Sequence, residues 1–356
     1  MREDVCKWRA VITSFSFAHP DIYWGHLVDY SVLMAQANEL SLRGLGKTYP
    51  NPIVGAIIVD SSGVVISQDF HDGGLHAEAK AISKIGEIPK GATLITTLEP
   101  CNHHGKTPPC SELIINSGIK TVVFAVSDQN LVAKGGADRL RAAHIEVISG
   151  VLQDQVCYSN RFWLNKIKNN RPYFIWKIGM TLDGKISAKD GNSKWITSES
   201  SRAQVSKLRS QSDVILIGTG TALADNPSLN TKEVNARQPK RLVMGNRLIP
   251  QENNLNDESA QTFFLQSHDL DALLDFLAKL EVNQVLVEAG PTLGTFLMKS
   301  GVIDEMHIYL SPSLLGSGQS FINDLGINSL ENRVMYKVQS AEIVDTDLKI
   351  ILVKDQ

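Results

Sequence analysis

Cysteine is scarce in this chain of 356 residues, and the scarcity narrows the class of protein. The chain has four, at Cys6, Cys101, Cys110 and Cys157. They are too few for a disulfide framework and are not spaced like one, which favours a reducing cytoplasm. No apolar run approaches the roughly 20 residues that a membrane-spanning helix needs, so we expect no membrane partner. The formal net charge of -3 gives no global field that would attract nucleic acid.

The first 26 residues lack the features of a secretory signal. Their apolar stretch AVITSFSFA is short and is followed by His19, Pro20 and Asp21 instead of a small-residue cleavage site. We therefore predict an N-terminal extension over 1–26. The composition, 43% hydrophobic and 21% charged, is that of a globular protein, and the length suits two domains at about 150 residues each.

From residue 27 onward, predicted helices alternate with predicted strands. Strand patterns at 53–59, 63–67, 92–98 and 121–126 lie among helical patterns and predict a three-layer α/β domain over 27–170. Residues 151–170 predict one amphipathic helix, and NNRP at 169–172 marks a domain boundary. A second α/β domain is predicted over 171–356, with strands in YFIWKIGM, DVILIG, RLVMG, TFFLQ, QVLVEAG and MHIYLSP and helices at about 199–210, 269–280 and 291–300.

Two short stretches, HAEAKAI at 76–82 and EPCNHHGKTPPC at 99–110, contain candidate metal ligands. His76, Cys101 and Cys110 supply the three protein ligands of a catalytic zinc, whose fourth position is left for water. Cys110 is predicted to open a helix, where a thiolate is favoured. Glu78 follows His76 by two positions and so does not share its helix face. It would lie beside the ligands as a general acid/base, as in the His-x-Glu, Pro-Cys signature of zinc deaminases.

Other interpretations of these residues stay open from the sequence alone. A structural zinc site would need a fourth ligand, for which His71, His103 and His104 are candidates. Each of these histidines taken alone is more typical of a solvated or hydrogen-bonded loop residue. Cys157, on an apolar helical face, is predicted to pack in the core. A nucleic-acid deaminase would use the same zinc core with a basic surface, and a binding or regulatory protein would use neither site for catalysis.

The spacing of the two cysteines carries a more specific resemblance. Eight residues, NHHGKTPP, separate them where deaminases usually have two. This insert, with TYPNPIVGAIIV upstream and TLEPC before the first cysteine, resembles the bifunctional riboflavin-biosynthesis deaminase/reductase family, and the similarity runs from about residue 27 to the C-terminus. It implies a cytidine-deaminase-like domain followed by a dihydrofolate-reductase-like domain, with His76, Cys101 and Cys110 as zinc ligands and Glu78 as proton donor.

The second half has no dinucleotide-binding fingerprint, because the GTG at 218–220 is followed by Leu223 where a third glycine would be needed. Instead, KIGMTLDGKIS, NSKWIT, TALADNPSL and VLVEAGPTLGTFL resemble the reductase half of the same family, which uses NADPH. The turn EAGPTLGTF passes from a strand to a helix N-terminus, where backbone amides can approach a phosphate. The resemblance implies NADP contacts at Gly179, Trp195, Thr221, Asp225, Gly290, Pro291, Thr292, Leu293, Gly294, Thr295 and Phe296. It implies substrate contacts at Ser193, Arg209, Leu229, Lys232 and Glu288.

Taken individually, Trp195 and Leu229 are more typical of core residues than of ligand contacts. Four positions depart from the family pattern: Lys232 replaces a common Arg, Asn226 replaces an acid, the acid usual before Asn246 is missing, and Ala56 replaces a frequent Cys. These departures put reductase affinity in doubt but leave the zinc set intact. Lys177 and Asp183 are the acid/base candidates for the reduction.

The resemblance implies two consecutive reactions. The first is zinc-dependent hydrolytic deamination of 2,5-diamino-6-ribosylamino-4(3H)-pyrimidinone 5′-phosphate. The second is NADPH-dependent reduction of the ribosyl group of the product to a ribityl chain. The partners are then phosphorylated ribosylaminopyrimidines, with no nucleic acid, and a homo-oligomer is left open. The alternative is a deaminase joined to an inactive, reductase-like regulatory or binding domain.

Overall fold

The structure is a computed structural model that describes residues 28–103 and 108–355. The predicted extension over 1–26 and His104 lie outside these residues. The chain divides into two compact units between Lys168 and Asn169, next to the polar run at 169–172. No helix in the described ranges is long and apolar enough to cross a bilayer.

The first unit alternates helices and strands much as the apolar pattern predicts. Its elements are α1 (Tyr30–Ser41), β1 (Gly55–Val59), β2 (Val65–Phe70), α2 (Ala77–Ser83), β3 (Thr93–Leu98), α3 (Cys110–Ser117), β4 (Thr121–Val126), α4 (Gly136–Ala142), β5 (Glu146–Ser149), α5 (Gln153–Ser159) and α6 (Arg161–Asn169). The caps follow the local sequence: the Asp29 side chain accepts a hydrogen bond from the Ser31 amide before α1, and Gly118 ends α3 at φ 87°.

The five strands form one sheet in the order β2-β1-β3-β4-β5. β1 and β2 form the predicted antiparallel hairpin, and β1 is also antiparallel to β3. β3, β4 and β5 are parallel to one another. Every residue of β1, β3 and β4 is buried, because helices α1 and α2 pack against β1 to β3 and α5 packs against β4. The hydrophobic core of the first unit therefore surrounds these central strands. The loop after β3 and the loop before α2 both begin or end at elements of this core.

The single amphipathic helix predicted for 151–170 is wrong, because α5 ends at Ser159 and α6 begins at Arg161. The interruption is Asn160, whose side chain is buried. Its amide accepts a hydrogen bond from the Ile53 amide and donates one to the Ile53 carbonyl, each at 3.0 Å. This long-range pair ties the residue between the two helices to the residues before β1. Cys157 is buried in the core, as predicted.

The second unit begins with two strands and a long helix: β6 (Tyr173–Thr181), β7 (Lys185–Ser187) and α7 (Glu199–Ser210). It continues with β8 (Val214–Gly218), α8 (Thr219–Asp225), β9 (Lys240–Met244), β10 (Thr262–Leu265), α9 (Leu270–Lys279), β11 (Gln284–Val287), α10 (Pro291–Lys299), β12 (Ile303–Ser311), β13 (Gln319–Ser320), β14 (Tyr336–Val344) and β15 (Asp347–Lys354). All six predicted strands and all three predicted helices are present. The α/β prediction for both halves is confirmed.

Eight of these strands form a sheet in the order β10-β9-β8-β11-β6-β12-β15-β14. The first six are parallel, and β15 and β14 add an antiparallel edge. The chain leaves β8 toward β9 and β10 on one side, then returns with β11 on the other. In open α/β sheets a ligand crevice forms at such a reversal, outside the carboxyl ends of the strands.

Three elements of this unit carry little sequence signal. Helix α8 has only 7 residues. It ends at the C-cap residue Asn226, whose backbone is left-handed at φ 44°. The hairpin of β14 and β15 lies at the sheet edge, where most residues of β14 are exposed and so show no clean apolar alternation.

Helix α10 packs so closely on β6 that one glycine is required. A Cβ on Gly294 would lie 2.1 Å from Cζ2 of the buried Trp176 ring. We expect Gly294→Ala to lower the melting temperature of the full chain by roughly 2–12 °C, since overpacking costs about 1–3 kcal/mol. The control is Gly86→Ala, where a Cβ would meet nothing within 4 Å. Equal melting temperatures for both variants and the wild type would contradict the packing described.

Candidate active sites

The three predicted metal ligands come together in the first unit. His76 is the residue before α2, Cys101 follows β3, and Cys110 opens α3. His76 Nδ1 lies 3.3 Å from Cys110 Sγ and 3.5 Å from Cys101 Sγ, and the three donor atoms are within 4.8 Å of one another. One nitrogen and two sulfurs converging from three elements match the donor set of zinc.

Backbone hydrogen bonds hold the two cysteines in this arrangement. The Cys110 amide donates to Cys101 Sγ at 3.4 Å, and the Ser111 amide donates to the Cys101 carbonyl at 3.1 Å. On the other side, the Asn102 amide donates to the Ala133 carbonyl at 2.9 Å. These main-chain contacts at the start of α3 therefore help to position the two thiols.

The pKa values of the two thiols shift in opposite directions. Hydrogen bonding from Cys110, opposed by burial and helped by His76, lowers the pKa of Cys101 to about 4. The same contact, together with burial, raises the pKa of Cys110. One proton thus serves two sulfurs. A divalent cation between them would replace that proton, since metal-bound thiols are deprotonated, so the donor set fits Zn²⁺.

Glu78 lies in the first turn of α2 and is buried. Burial raises its pKa to about 7, against the opposing charge of His76. It interacts with the Cys110 thiol but does not belong to the converging trio. A carboxyl group whose pKa lies near neutrality, next to the donor set, has the properties of a general acid/base.

The other histidines of this region do not join the trio. His71 is buried, its Nδ1 lies 3.0 Å from the Leu75 carbonyl, and its ring packs edge-on to His76 with centroids 5.6 Å apart. In the described residues 28–103 and 108–355, neither His71 nor His103 brings a donor atom into the group. His71 is therefore the hydrogen-bonded loop histidine that the sequence favoured, and this part of the chain offers no fourth ligand.

Glu99 is a functional neighbour that the sequence analysis missed, although it quoted TLEPC. Its buried carboxylate accepts hydrogen bonds from the amides of Asp128 at 3.0 Å, Gly135 at 3.3 Å and Ala137 at 2.9 Å. These bonds fix the loop that contains Ala133, which packs against both cysteines. A glutamate directly after a fully buried strand was the available signal.

In the second unit, several of the predicted NADP contacts meet at the start of α10. Gly290 is its N-cap and Pro291 its first residue. A Cβ added to Gly290 would lie 4.0 Å from Thr221 Oγ1. A Cβ added to Gly218 would lie 3.7 Å from the Leu293 side chain. With only Thr221 near it, the Gly290 backbone is open to a phosphate, and the arrangement fits the pyrophosphate of NADPH.

Residues later in the predicted turn face inward. Gly294 packs on Trp176, and Thr295 is buried with its Oγ1 accepting from the Asn323 amide at 2.8 Å. Thr292 is exposed and Phe296 is half-buried. The exposed residue of the turn is thus Thr292, and Gly290 is half-buried, whereas Pro291 is buried.

Glu288 forms a charge cluster directly before this turn. Its carboxylate accepts from Arg209 Nε at 2.6 Å and from Arg209 Nη2 at 3.0 Å, and Lys177 Nζ lies 3.1 Å away. Burial would raise the pKa of Glu288, but Arg209 and Lys177 outweigh it and lower the pKa to about 2. The cluster is thus an ionised carboxylate with two cations. Glu288 directly follows β11, Arg209 lies in α7 and Lys177 lies in β6.

The remaining predicted contacts are dispersed over loops and strands. Gly179 lies in β6 with Thr197 Cγ2 3.4 Å from its Cβ position, and Asp225 ends α8 exposed. Ser193 is half-buried, and the exposed Lys232 donates its amide to Ser206 Oγ at 2.7 Å. The core interpretation of Trp195 is wrong, because its side chain is 72% exposed beneath the Arg202 guanidinium, whereas Leu229 is buried.

Two further residues have roles that the sequence did not indicate. Arg241, fully buried in β9, donates to the carbonyls of Ser228 and Asn254 and to Asp257, so it holds the loop that contains Leu229. Asp183, a candidate acid for the reduction, instead accepts from the amides of Leu315 and Gly316. Asp183 is therefore a loop anchor.

Comparison with known families accounts for both units. The family described as the cytidine and deoxycytidylate deaminase zinc-binding region matches residues 28–126, and the RibD C-terminal domain matches residues 172–351. Riboflavin biosynthesis protein RibD of Mycobacterium tuberculosis is 39% identical over 327 residues, covering 90% of this chain and 96% of that protein. RibD of Escherichia coli K12 is 36% identical over 360 residues, covering 90% and 98%.

Solved structures agree with this comparison. A diaminohydroxyphosphoribosylaminopyrimidine deaminase/5-amino-6-(5-phosphoribosylamino)uracil reductase from Thermotoga maritima has a TM-score of 0.84 at 34% identity, covering 91% of this chain and 98% of that one. RibD of Acinetobacter baumannii has a TM-score of 0.84 at 32% identity, covering 92% and 99%.

The donor geometry leads to a prediction about metal content. We expect about one zinc ion per chain in protein purified without chelators, since three protein ligands form one catalytic site. Cys101→Ser should lose the metal, because it replaces a soft thiolate with a weakly binding hydroxyl. His103→Ala is the matched control and should keep it. Elemental analysis decides the matter: full zinc in Cys101→Ser would remove Cys101 from the ligand set.

Proposed function

The chain belongs to the RibD family of bifunctional riboflavin-biosynthesis deaminase/reductases, and we propose that its two reactions use two separate sets of residues. His76, Cys101 and Cys110 hold the zinc ion, and Glu78 moves protons beside it. Arg209 and Glu288 contact the substrate of the reductase, next to an NADPH site that begins at Gly290. The observation that carries the proposal is the convergence of three donor atoms within 4.8 Å beside a buried carboxyl group.

The substrates are small phosphorylated pyrimidines. The Thermotoga maritima relative acts, by its name, on a diaminohydroxyphosphoribosylaminopyrimidine and on the aminouracil that deamination yields. We propose the same pair for this chain, 2,5-diamino-6-ribosylamino-4(3H)-pyrimidinone 5′-phosphate and its deaminated product. The net charge of -3 supports a small-molecule substrate over nucleic acid.

Glu78 carries the proton chemistry of the first reaction. Zinc, when bound, is a Lewis acid that makes water a nucleophile at neutral pH. Glu78 accepts a proton from the water that attacks C2 of the pyrimidine and delivers a proton to the departing amino group, which leaves as ammonia. Burial raises the pKa of Glu78, which favours its holding the proton between the two transfers.

The charge cluster at Glu288 prepares the second site. NADPH, when bound, supplies the hydride that reduces the ribosyl group, in its open imine form, to ribityl. The bidentate pair with Glu288 fixes the plane of the Arg209 guanidinium, and Lys177 lies against the same carboxylate. These groups bind and orient the substrate, and Lys177 is the proton donor nearest to them. A charged cluster of this kind beside an open phosphate turn supports an active reductase over an inactive binding domain.

The departures from the family pattern fall outside these two clusters. Asn226 ends α8 in the left-handed conformation, which asparagine tolerates better than most residues. Its side-chain oxygen accepts from the Asn254 amide at 2.7 Å, so it anchors a loop. Lys232 keeps a positive charge at its position but offers no bidentate fork. We expect an intact reductase with weaker phosphate binding there.

Glu78→Gln tests the proposal, since it keeps the buried shape and removes the proton carrier. We expect a folded, zinc-containing protein whose release of ammonia from the diaminopyrimidine falls by at least ~10²-fold. The same variant, given the deaminated aminouracil directly, should oxidise NADPH at the wild-type rate.

Glu288→Gln is the reciprocal variant. It should deaminate normally and reduce poorly, with its melting temperature measured to separate loss of fold from loss of function. Loss of both activities in stably folded Glu78→Gln would overturn the assignment of two separate sites.

A further inference from the structure

The loops that follow β8, β9 and β10 meet at one edge of the second sheet. These strands are parallel neighbours and end at Gly218, Met244 and Leu265. β11 pairs with β8 on the opposite side and leads into the turn at Gly290. A dinucleotide whose pyrophosphate lies at Gly290 therefore has the ends of β8 to β10 available for its adenosine half.

The residue after β9 brings its loop unusually close to α8. Gly245 has φ 131°, and a Cβ there would lie 2.7 Å from Thr219 Oγ1 and 3.5 Å from His268 Cε1. No L side chain adopts this backbone without strain. The glycine thus allows the chain to pass between α8 and the loop after β10 before it turns outward at Asn246 and Arg247.

Arg247 lies against α8, the helix that approaches the proposed cofactor turn. A Cβ added to Gly220 would lie 2.9 Å from Arg247 Nη2. The next residue, Thr221, is the one that approaches Gly290. Two consecutive residues of α8, Gly220 and Thr221, thus lie between the guanidinium and the pyrophosphate turn.

The charge of Arg247 is not neutralised by a nearby acid. Its side chain is exposed, and over 28–103 and 108–355 no carboxylate forms an ion pair with it. Gly245 and Asn246, which precede Arg247 after β9, carry no charge. No acid next to it in the chain therefore opposes a phosphate at this guanidinium.

We propose that Arg247 binds the 2′-phosphate of NADPH and thereby sets the preference of the reductase for NADPH over NADH. This inference rests on the proposed reductase function and adds the residue that distinguishes the two nucleotides. The planar guanidinium offers two parallel N–H donors to phosphate oxygens, and nothing else on this loop has that chemistry.

Calorimetric titration of the full-length protein with NADP⁺ and NAD⁺ tests the proposal without turnover. We expect Arg247→Met to weaken NADP⁺ binding by roughly 10- to 100-fold, as loss of a charged hydrogen bond does, and to change NAD⁺ binding by less than about 3-fold. Adenosine 2′,5′-bisphosphate should lose affinity in parallel, and 5′-AMP should not. Arg247→Lys should recover part of the loss.

Lys279→Met is the matched control. It also removes one exposed positive charge from this unit, but at the end of α9, which leads to the opposite ends of the strands. Its nucleotide affinities should equal those of the wild type. Equal losses for NADP⁺ and NAD⁺, or no loss, in folded Arg247→Met would overturn the inference. Wild-type protein that bound both nucleotides equally would overturn it and leave the reductase standing, whereas binding of neither would overturn both.

Discussion

A buried carboxylate must be paired with positive charge or become neutral, and each unit of this protein is built around one of these two solutions. In the first unit, burial raises the pKa of Glu78 to about 7, which leaves a proton available for exchange. In the second, Arg209 and Lys177 hold Glu288 ionised, with a pKa of about 2. One glutamate is prepared to move protons and the other to hold cations in place.

The surroundings of the two glutamates explain this difference. Glu78 lies beside thiols that a metal would ionise, and the metal would add positive charge to that of His76. Glu288 lies at the carboxyl end of a parallel strand, where residues from α7 and β6 reach it. Neither arrangement adds much to stability by itself, since burying charge is costly even when it is paired. Their presence is better explained by chemistry than by folding.

Much of the fold and of the first site could be predicted from the sequence, because local patterns carry them. Continuous apolar runs identify the buried strands, and the order His76, Glu78, Cys101, Cys110 identifies the zinc set. What could not be predicted depends on contacts between distant residues. Asn160 lies between two helices and pairs with the distant Ile53, and Arg241 holds a loop through carbonyls that no pattern reveals. The exposed edge strand β14 shows no alternation at all.

The central claim is that deamination and reduction occur in order at separate sites of one chain. The most direct measurement is to incubate the purified protein with the diaminopyrimidine substrate in the absence of NADPH, follow ammonia release to completion, and then add NADPH. The account predicts full ammonia release before the addition, followed by oxidation of NADPH equimolar to the ammonia already formed. Ammonia release that begins only when NADPH is added would contradict it, because the first site would then depend on the second.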